Sequence, residues 1–175
     1  MTIKTIFLDR DGVINKEIGY LYKIEEFDFI NGIFEACQYF HQLGYQIIIV
    51  TNQSGISRGY YTEIDFQNTT NWMLTQFKKN GVSILDVFHC PHLPESTCNC
   101  RKPNPGMLID AKSKHNINME ESWMIGDSER DITAANSAGI KNTILVKSGH
   151  KINIESPSAM FVIGSIIESQ KFILK

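Results

Sequence analysis

Two aspartates one residue apart, Asp9 and Asp11, follow a short apolar run at residues 5–8. Carboxylates this close repel each other, and a bound hard cation removes that cost. Asp127, after another apolar run at 122–125, would complete a Mg²⁺ site of oxygen ligands. Between them lie Thr51-Asn52-Gln53-Ser54-Gly55 and Lys102, which offer hydroxyl, amide and ammonium groups. An isolated Asp-x-Asp pair often serves only as turn or cap. Thr51, Lys102 and Asp127 following it in order argue for chemistry instead.

A second constellation reads Cys90-x-His92, five residues, then Cys98-x-Cys100. Three thiolates and one imidazole suit tetrahedral Zn²⁺, although each pair is one residue tighter than the commoner Cys-x-x-Cys. Four protein ligands leave no open position, so this zinc would be structural. It would staple the long loop 91–105 and set Arg101 and Lys102. Only Cys37 stands apart, and such clustering in a reducing compartment favours a metal over disulfides.

Strands and helices must bring these residues together. Runs 5–8, 46–51, 84–89, 122–125 and 142–146 read as buried strands, rich in Ile and Val. Stretches 32–43, 63–80, 105–115 and 128–138 carry helical spacing. Thr62 with Asp65 predicts a capping box, and Asn104 before Pro105 predicts an N-cap. Gly44, Gly81 and Gly139 fall where helices should stop. The alternation predicts an α/β fold, a parallel sheet with helices on both faces, as one domain over residues 1–175. A short strand at 160–163 and a final helix are expected to close the sheet edge. Ligands of such a sheet gather beyond the carboxyl ends of its strands, where Asp9, Thr51, Cys90 and Asp127 all fall.

The motifs are long enough to carry a resemblance. Phe7-Leu8-Asp9-Arg10-Asp11-Gly12-Val13-Ile14-Asn15 resembles the first motif of the haloacid dehalogenase (HAD) superfamily of phosphatases. Thr51–Gly55, Lys102 and Gly126-Asp127 with Asp131 resemble the second, third and fourth. More narrowly, TNQSGISRG (51–59) and CPHLPESTCNCRKPNPGM (90–107) are similar to the bacterial D,D-heptose 1,7-bisphosphate phosphatases and their histidinol-phosphate phosphatase relatives. The resemblance implies a Rossmannoid HAD fold, and the absence of long insertions around Thr51 implies no large cap domain. It implies Asp9 as nucleophile, Asp11 as general acid then base, and Thr51 and Lys102 on the phosphoryl oxygens. Mg²⁺ would be held by Asp9, the Asp11 main-chain carbonyl and Asp127. Asp131 would orient Lys102 or the metal's surroundings, with a helix-dipole acid as its bland alternative. The family also carries structural zinc at residues matching Cys90, His92, Cys98 and Cys100. Substrate contacts would lie at Asp9, Arg10, Asp11, at Glu17, Ile18, Gly19 and Tyr20, at Thr51, Asn52, Gln53 and Ser54, and at Arg101 and Lys102. The implied reaction removes the C7 phosphate of heptose 1,7-bisphosphate on the way to activated heptose for lipopolysaccharide or another surface glycan. Histidinol-phosphate hydrolysis is the alternative, and a non-catalytic zinc-stapled binding module a third reading.

Composition narrows the classes further. A chain of 175 residues can bury roughly 70% of its unfolded surface. Hydrophobic residues at 42% and charged residues at 21% describe an ordinary globular protein. Seventeen Lys and Arg against nineteen Asp and Glu give net charge −2, which argues against nucleic-acid binding by bulk electrostatics. No apolar run approaches the ~20 residues of a membrane span, and Lys4 interrupts any export signal. The expectation is a cytoplasmic monomer acting on a small sugar bisphosphate. Trp72, Met73, Phe77 and Cys37 read as core. Arg58 reads equally as loop charge or site residue, and His41, His115 and His150 as surface or helix-end residues.

Overall fold

Runs of Ile and Val become strands here because successive side chains feed opposite faces, and both faces are covered. The computed structural model describes residues 2–151 and 158–174. Six parallel strands form one sheet in the order β3-β2-β1-β4-β5-β6. They are β1 (Thr5–Leu8), β2 (Gln46–Asn52), β3 (Asp86–Cys90), β4 (Trp123–Gly126), β5 (Asn142–Val146) and β6 (Phe161–Ile163). Ile6, Leu8, Ile47 and Ile49 face a core shared with α1 (Ile33–Gln42) and α2 (Glu63–Lys79). Phe7, Ile48 and Val50 face a second core built with α3 (Gly106–His115) and α4 (Glu129–Ser137). Period two thus splits each continuous apolar run between two cores.

The strand order reverses at β1, which pairs with β2 on one side and β4 on the other. Chains leave such a switch point in opposite directions and open a crevice beyond the carboxyl ends. Asp9 closes β1 there, and its N–H donates to Ile125 O at 3.0 Å.

The helices end as their sequences dictate. Thr62 and Asp65 form the expected capping box, with Asp65 N–H donating to Thr62 Oγ1 at 3.1 Å. A second box joins Ser128 and Asp131 at the start of α4. Gly44, Gly81 and Gly139 each take φ between 71° and 92° just past a helix, a conformation that favours glycine.

Three expectations need correction. Asn104 does not cap α3: Pro105 holds the N-cap position, and Asn104 Nδ2 donates to Cys98 O at 2.8 Å in the loop. The run 84–89 is not a fully buried strand, because β3 is the sheet's edge and only Cys90 of it is buried. The final helix is one 3₁₀ segment, Ile166–Lys171, whose Ile166 packs into the first core. β6 does form the opposite sheet edge, beside β5.

Phe7 is fully buried at the centre of the second core. Phe7→Ala is expected to lower the unfolding free energy by about 3–5 kcal/mol in urea denaturation. A loss below about 1 kcal/mol would contradict this packing.

Candidate active site

Lys102 lies at the centre of the crevice. Its Nζ, on a side chain only 3% exposed, meets Asp9 Oδ1 at 2.9 Å and Asp131 Oδ1 at 2.7 Å. It donates its third hydrogen bond to Val50 O at 2.8 Å, so the ammonium is fully used. Burial alone would lower the Lys102 pKa, but the charges of Asp131 and Asp9 reverse this and raise it above the ordinary lysine value. Its backbone is fixed too: Lys102 N–H donates to Asn52 Oδ1 at 3.1 Å, and Asn52 Nδ2 to Lys102 O at 3.0 Å. Lys102 arrives from the loop after β3 and Asn52 from the end of β2.

Around it the acids divide by which oxygens are committed. Asp131 gives Oδ1 to Lys102 and accepts the Ser128 N–H on Oδ2 at 3.1 Å. It therefore orients Lys102 and caps α4 at once. Gly126 permits this approach, since a Cβ there would lie 2.3 Å from Asp131 Cβ. Asp9 accepts the Arg10 N–H (2.7 Å) and Lys102 on Oδ1, and Oδ2 has no hydrogen-bond partner among the described residues. Asp127 accepts twice on Oδ2, from His150 N–H at 2.8 Å and Nδ1 at 2.6 Å. Its Oδ1 is buried without a partner. Carboxylate oxygens of Asp9, Asp127 and Asp131 lie within 4.8 Å of one another. Burial, then the Asp131 charge, push Asp9 up to about 7 against the pull of Lys102. Asp127 is likewise raised, by burial and then by Asp9. Orphaned oxygens and raised carboxyl groups are what a hard-cation site of oxygen donors looks like without its ion's charge.

Asp11 is held from the other side. It accepts from Arg10 Nη2 at 2.8 Å and Nε at 3.1 Å, from Asn15 Nδ2 at 2.9 Å and from Gln53 Nε2 at 3.0 Å. Gln53 also donates to Thr51 Oγ1 at 2.8 Å and accepts from the Tyr61 hydroxyl at 2.5 Å.

A cavity of about 380 Å³ opens over these groups. Asp9, Asp11, Glu17, Gly19, Tyr20, Asn52, Gln53, Ser54, Arg101 and Lys102 line it, as a substrate site requires. Arg10 does not: its side chain is 2% exposed and lies behind Asp11, with Nη2 also donating to Leu21 O at 3.0 Å. Thr51 is buried behind the wall, and Ile18 is exposed to its side.

Tyr61, Arg130 and His150 line the cavity as well, beyond what the motifs mark, and Arg58, open in the sequence between loop charge and site residue, lines it too. Arg101 is lowered by burial, then by the nearby Arg130, with Arg58 adding to it. None of the three forms an ion pair among the described residues, so the rim presents uncompensated positive charge to the cavity. His150 was read as a surface residue. It follows β5, and the space beyond that strand's carboxyl end is where such a sheet gathers its ligands, so its place in the chain points to the site.

The loop after β3 gathers the second constellation. Cys90 Sγ lies 2.9 Å from Cys100 Sγ and 3.7 Å from Cys98 Sγ, and His92 Nδ1 lies 3.2 Å from Cys100 Sγ. The cysteines are free of disulfides. Burial opposes ionisation of Cys98, yet hydrogen bonds from the Arg101 backbone and the neighbouring thiols bring it down to about 7. Burial raises Cys90 and Cys100. Three sulfurs and one nitrogen converging on a point match a tetrahedral zinc donor set.

The parallel sheet, its switch-point aspartates and the buried lysine define a HAD-like hydrolase. The family model described as HAD-hydrolase-like matches residues 99–164. The chain is 45% identical to the D-glycero-alpha-D-manno-heptose-1,7-bisphosphate 7-phosphatase of Photorhabdus laumondii, over 95% of this chain and 97% of that protein. It is 43% identical to the D-glycero-beta-D-manno-heptose-1,7-bisphosphate 7-phosphatase of Pasteurella multocida, over 97% and 96%. A crystal structure of the D,D-heptose 1,7-bisphosphate phosphatase of B. bronchiseptica, complexed with magnesium and phosphate, aligns with a TM-score of 0.84 at 29% identity and 94% coverage of each chain. The chain belongs to the D-glycero-D-manno-heptose-1,7-bisphosphate 7-phosphatase family.

Asp131→Ala strands a buried ammonium with one carboxylate and breaks the capping box of α4. It is expected to cost about 3–5 kcal/mol of stability in urea unfolding. A cost near zero would mean that Lys102 does not depend on Asp131.

Proposed function

We propose that this protein is a Mg²⁺-dependent phosphatase that hydrolyses the C7 phosphate of D-glycero-D-manno-heptose 1,7-bisphosphate, in the synthesis of activated heptose for surface glycans. The observation that carries the reading is a partly buried Asp9, held by Lys102 with one carboxylate oxygen uncommitted among the described residues, beneath a cavity whose rim carries Arg58, Arg101 and Arg130. Relatives that share 38–48% identity bear the heptose name in both anomeric forms, which favours this substrate over histidinol phosphate.

Asp9 attacks phosphorus in line with the leaving sugar oxygen, forming an aspartyl-phosphate as the P–O bond to the sugar breaks. Asp11 gives its proton to that oxygen. It then takes one from the water that attacks the aspartyl-phosphate, which returns Asp9 and releases inorganic phosphate. Lys102 keeps Asp9 oriented and contributes charge where the equatorial oxygens gather. Thr51, buried behind the cavity wall, accepts from Gln53 and so helps to fix the amide that holds Asp11. Asp9, the Asp11 main-chain carbonyl and Asp127 Oδ1 would hold Mg²⁺, which supplies positive charge to the transferring phosphoryl group when bound. Arg58, Arg101 and Arg130 would grip the phosphate that stays on the sugar. Guanidinium forks suit that task. Zn²⁺ on Cys90, His92, Cys98 and Cys100 would be a staple, holding Arg101 and Lys102 over the crevice. Among the described residues no helix is long and apolar enough to cross a membrane.

Phosphate release with Mg²⁺ tests the reading, comparing both anomers of the bisphosphate with histidinol phosphate. A preference of about tenfold or more in kcat/KM for a bisphosphate is expected, and a preference for histidinol phosphate would overturn the assignment. Asp9→Asn is expected to lower kcat by about 10⁴-fold or more while the melting temperature holds. Arg130→Ala and Arg58→Ala are expected to raise KM for the bisphosphate about tenfold each, with p-nitrophenyl phosphate hydrolysis changed far less. Cys98→Ser is expected to lower zinc content below about one per chain, together with the melting temperature. Unchanged zinc content would refute the staple.

A further inference from the structure

The turn after β5 does more than leave the sheet. Ser148 Oγ donates to Gly12 O at 2.7 Å, which ties the turn to the Asp9–Gly12 segment. Two glycines permit the contact. A Cβ on Gly149 would lie 1.9 Å from Asp127 Oδ2, and one on Gly12 would lie 2.2 Å from the same atom. His150 then closes on Asp127 with both its backbone N–H and its ring Nδ1. Both bonds fall on Oδ2, and Oδ1 of this buried carboxylate is left without a partner. The two oxygens of one carboxylate are thus made unequal, one committed to the protein and one free.

We propose that His150 is a positioning residue for the metal site: by holding Asp127 Oδ2 it fixes the carboxylate so that Oδ1 serves as a single, pre-aimed cation ligand. This rests on the Mg²⁺ reading above. A carboxylate free to rotate could present either oxygen or both, and each lost orientation must be given up on binding. Groups that orient a metal ligand from behind commonly affect metal affinity by about 10–100-fold. His150 is suited to this because its ring is half-exposed and its Nδ1–H donates directly at 2.6 Å, beside a backbone N–H that two glycines let approach.

The test uses the full-length, zinc-loaded protein and titrates Mg²⁺ calorimetrically without substrate, for wild type, His150→Ala and His150→Asn. The asparagine amide can donate from the position that Nδ1 occupies, so it should retain most of the effect. His150→Ala is expected to weaken Mg²⁺ binding about tenfold or more and to raise the Mg²⁺ needed for half-maximal turnover by the same factor, with kcat recovered at saturating Mg²⁺. His150→Asn is expected to stay within about threefold of wild type. Unchanged affinity in His150→Ala would overturn the proposal, as would an asparagine variant as weak as alanine. A raised substrate KM at unchanged Mg²⁺ affinity would make His150 a substrate contact and equally overturn it. Wild-type protein that binds no Mg²⁺ would instead overturn the metal reading on which the proposal rests.

Discussion

A buried ammonium between two carboxylates is the constraint on which the site depends. Lys102 bridges Asp9 and Asp131, and each of the three comes from a different part of the chain. Removing three charges from water is costly, and that cost is recovered only while all the partners are in place. The ion pairs therefore act as a register. β1, the loop after β3 and the start of α4 must all be seated before Lys102 is satisfied. Asp127 adds a further carboxylate close by, so Asp9, Asp127 and Asp131 face one ammonium, and His150 on Asp127 offsets only part of the excess negative charge. The raised pKa of Asp9 expresses that imbalance. A divalent cation is the simplest group that would remove it.

The sheet order explains why the imbalance sits where it does. β1 lies between β2 and β4, and the crevice forms where the chain departs to either side. Carboxyl ends of neighbouring parallel strands lie under 5 Å apart, so one acid at the end of each brings the carboxylates together. The strands also bury both faces, which keeps water from relieving the repulsion. Floor and core are built from the same residues: Phe7 and Leu8 pack the two sides, and Asp9 follows directly.

The floor of the site was legible because its residues sit in contiguous motifs at strand ends, where position along the chain fixes position in space. Thr5–Leu8 and Asn142–Val146 run as the sequence reads, since interior strands show their apolar runs undiluted. β3 was harder, because an edge strand is covered on fewer sides and its burial cannot be inferred from composition. Asn104 was misread for a different reason. Its amide faces two acceptable partners, a helix N-terminus and the Cys98 carbonyl, and only the folded loop decides between them. Arg130 and His150 were missed because each acts through tertiary proximity: Arg130 by neighbouring Arg101 across the cavity, His150 by closing on Asp127 from 23 residues away. Nothing local in the sequence marks the Arg130 contact, and only its place beyond β5 points to His150.

The loops divide their labour residue by residue. Lys102 points to the floor while Arg101 lines the rim, and Asp131 points to the floor while Arg130 lines the rim. Adjacent side chains in each segment thus serve opposite ends of the cavity. The floor is held by buried ion pairs and two capping interactions, so its geometry tolerates little change. The rim arginines carry no ion pair among the described residues, and altering one leaves Lys102 with both of its carboxylates. Chemistry and recognition are therefore mechanically coupled through the backbone yet energetically separable.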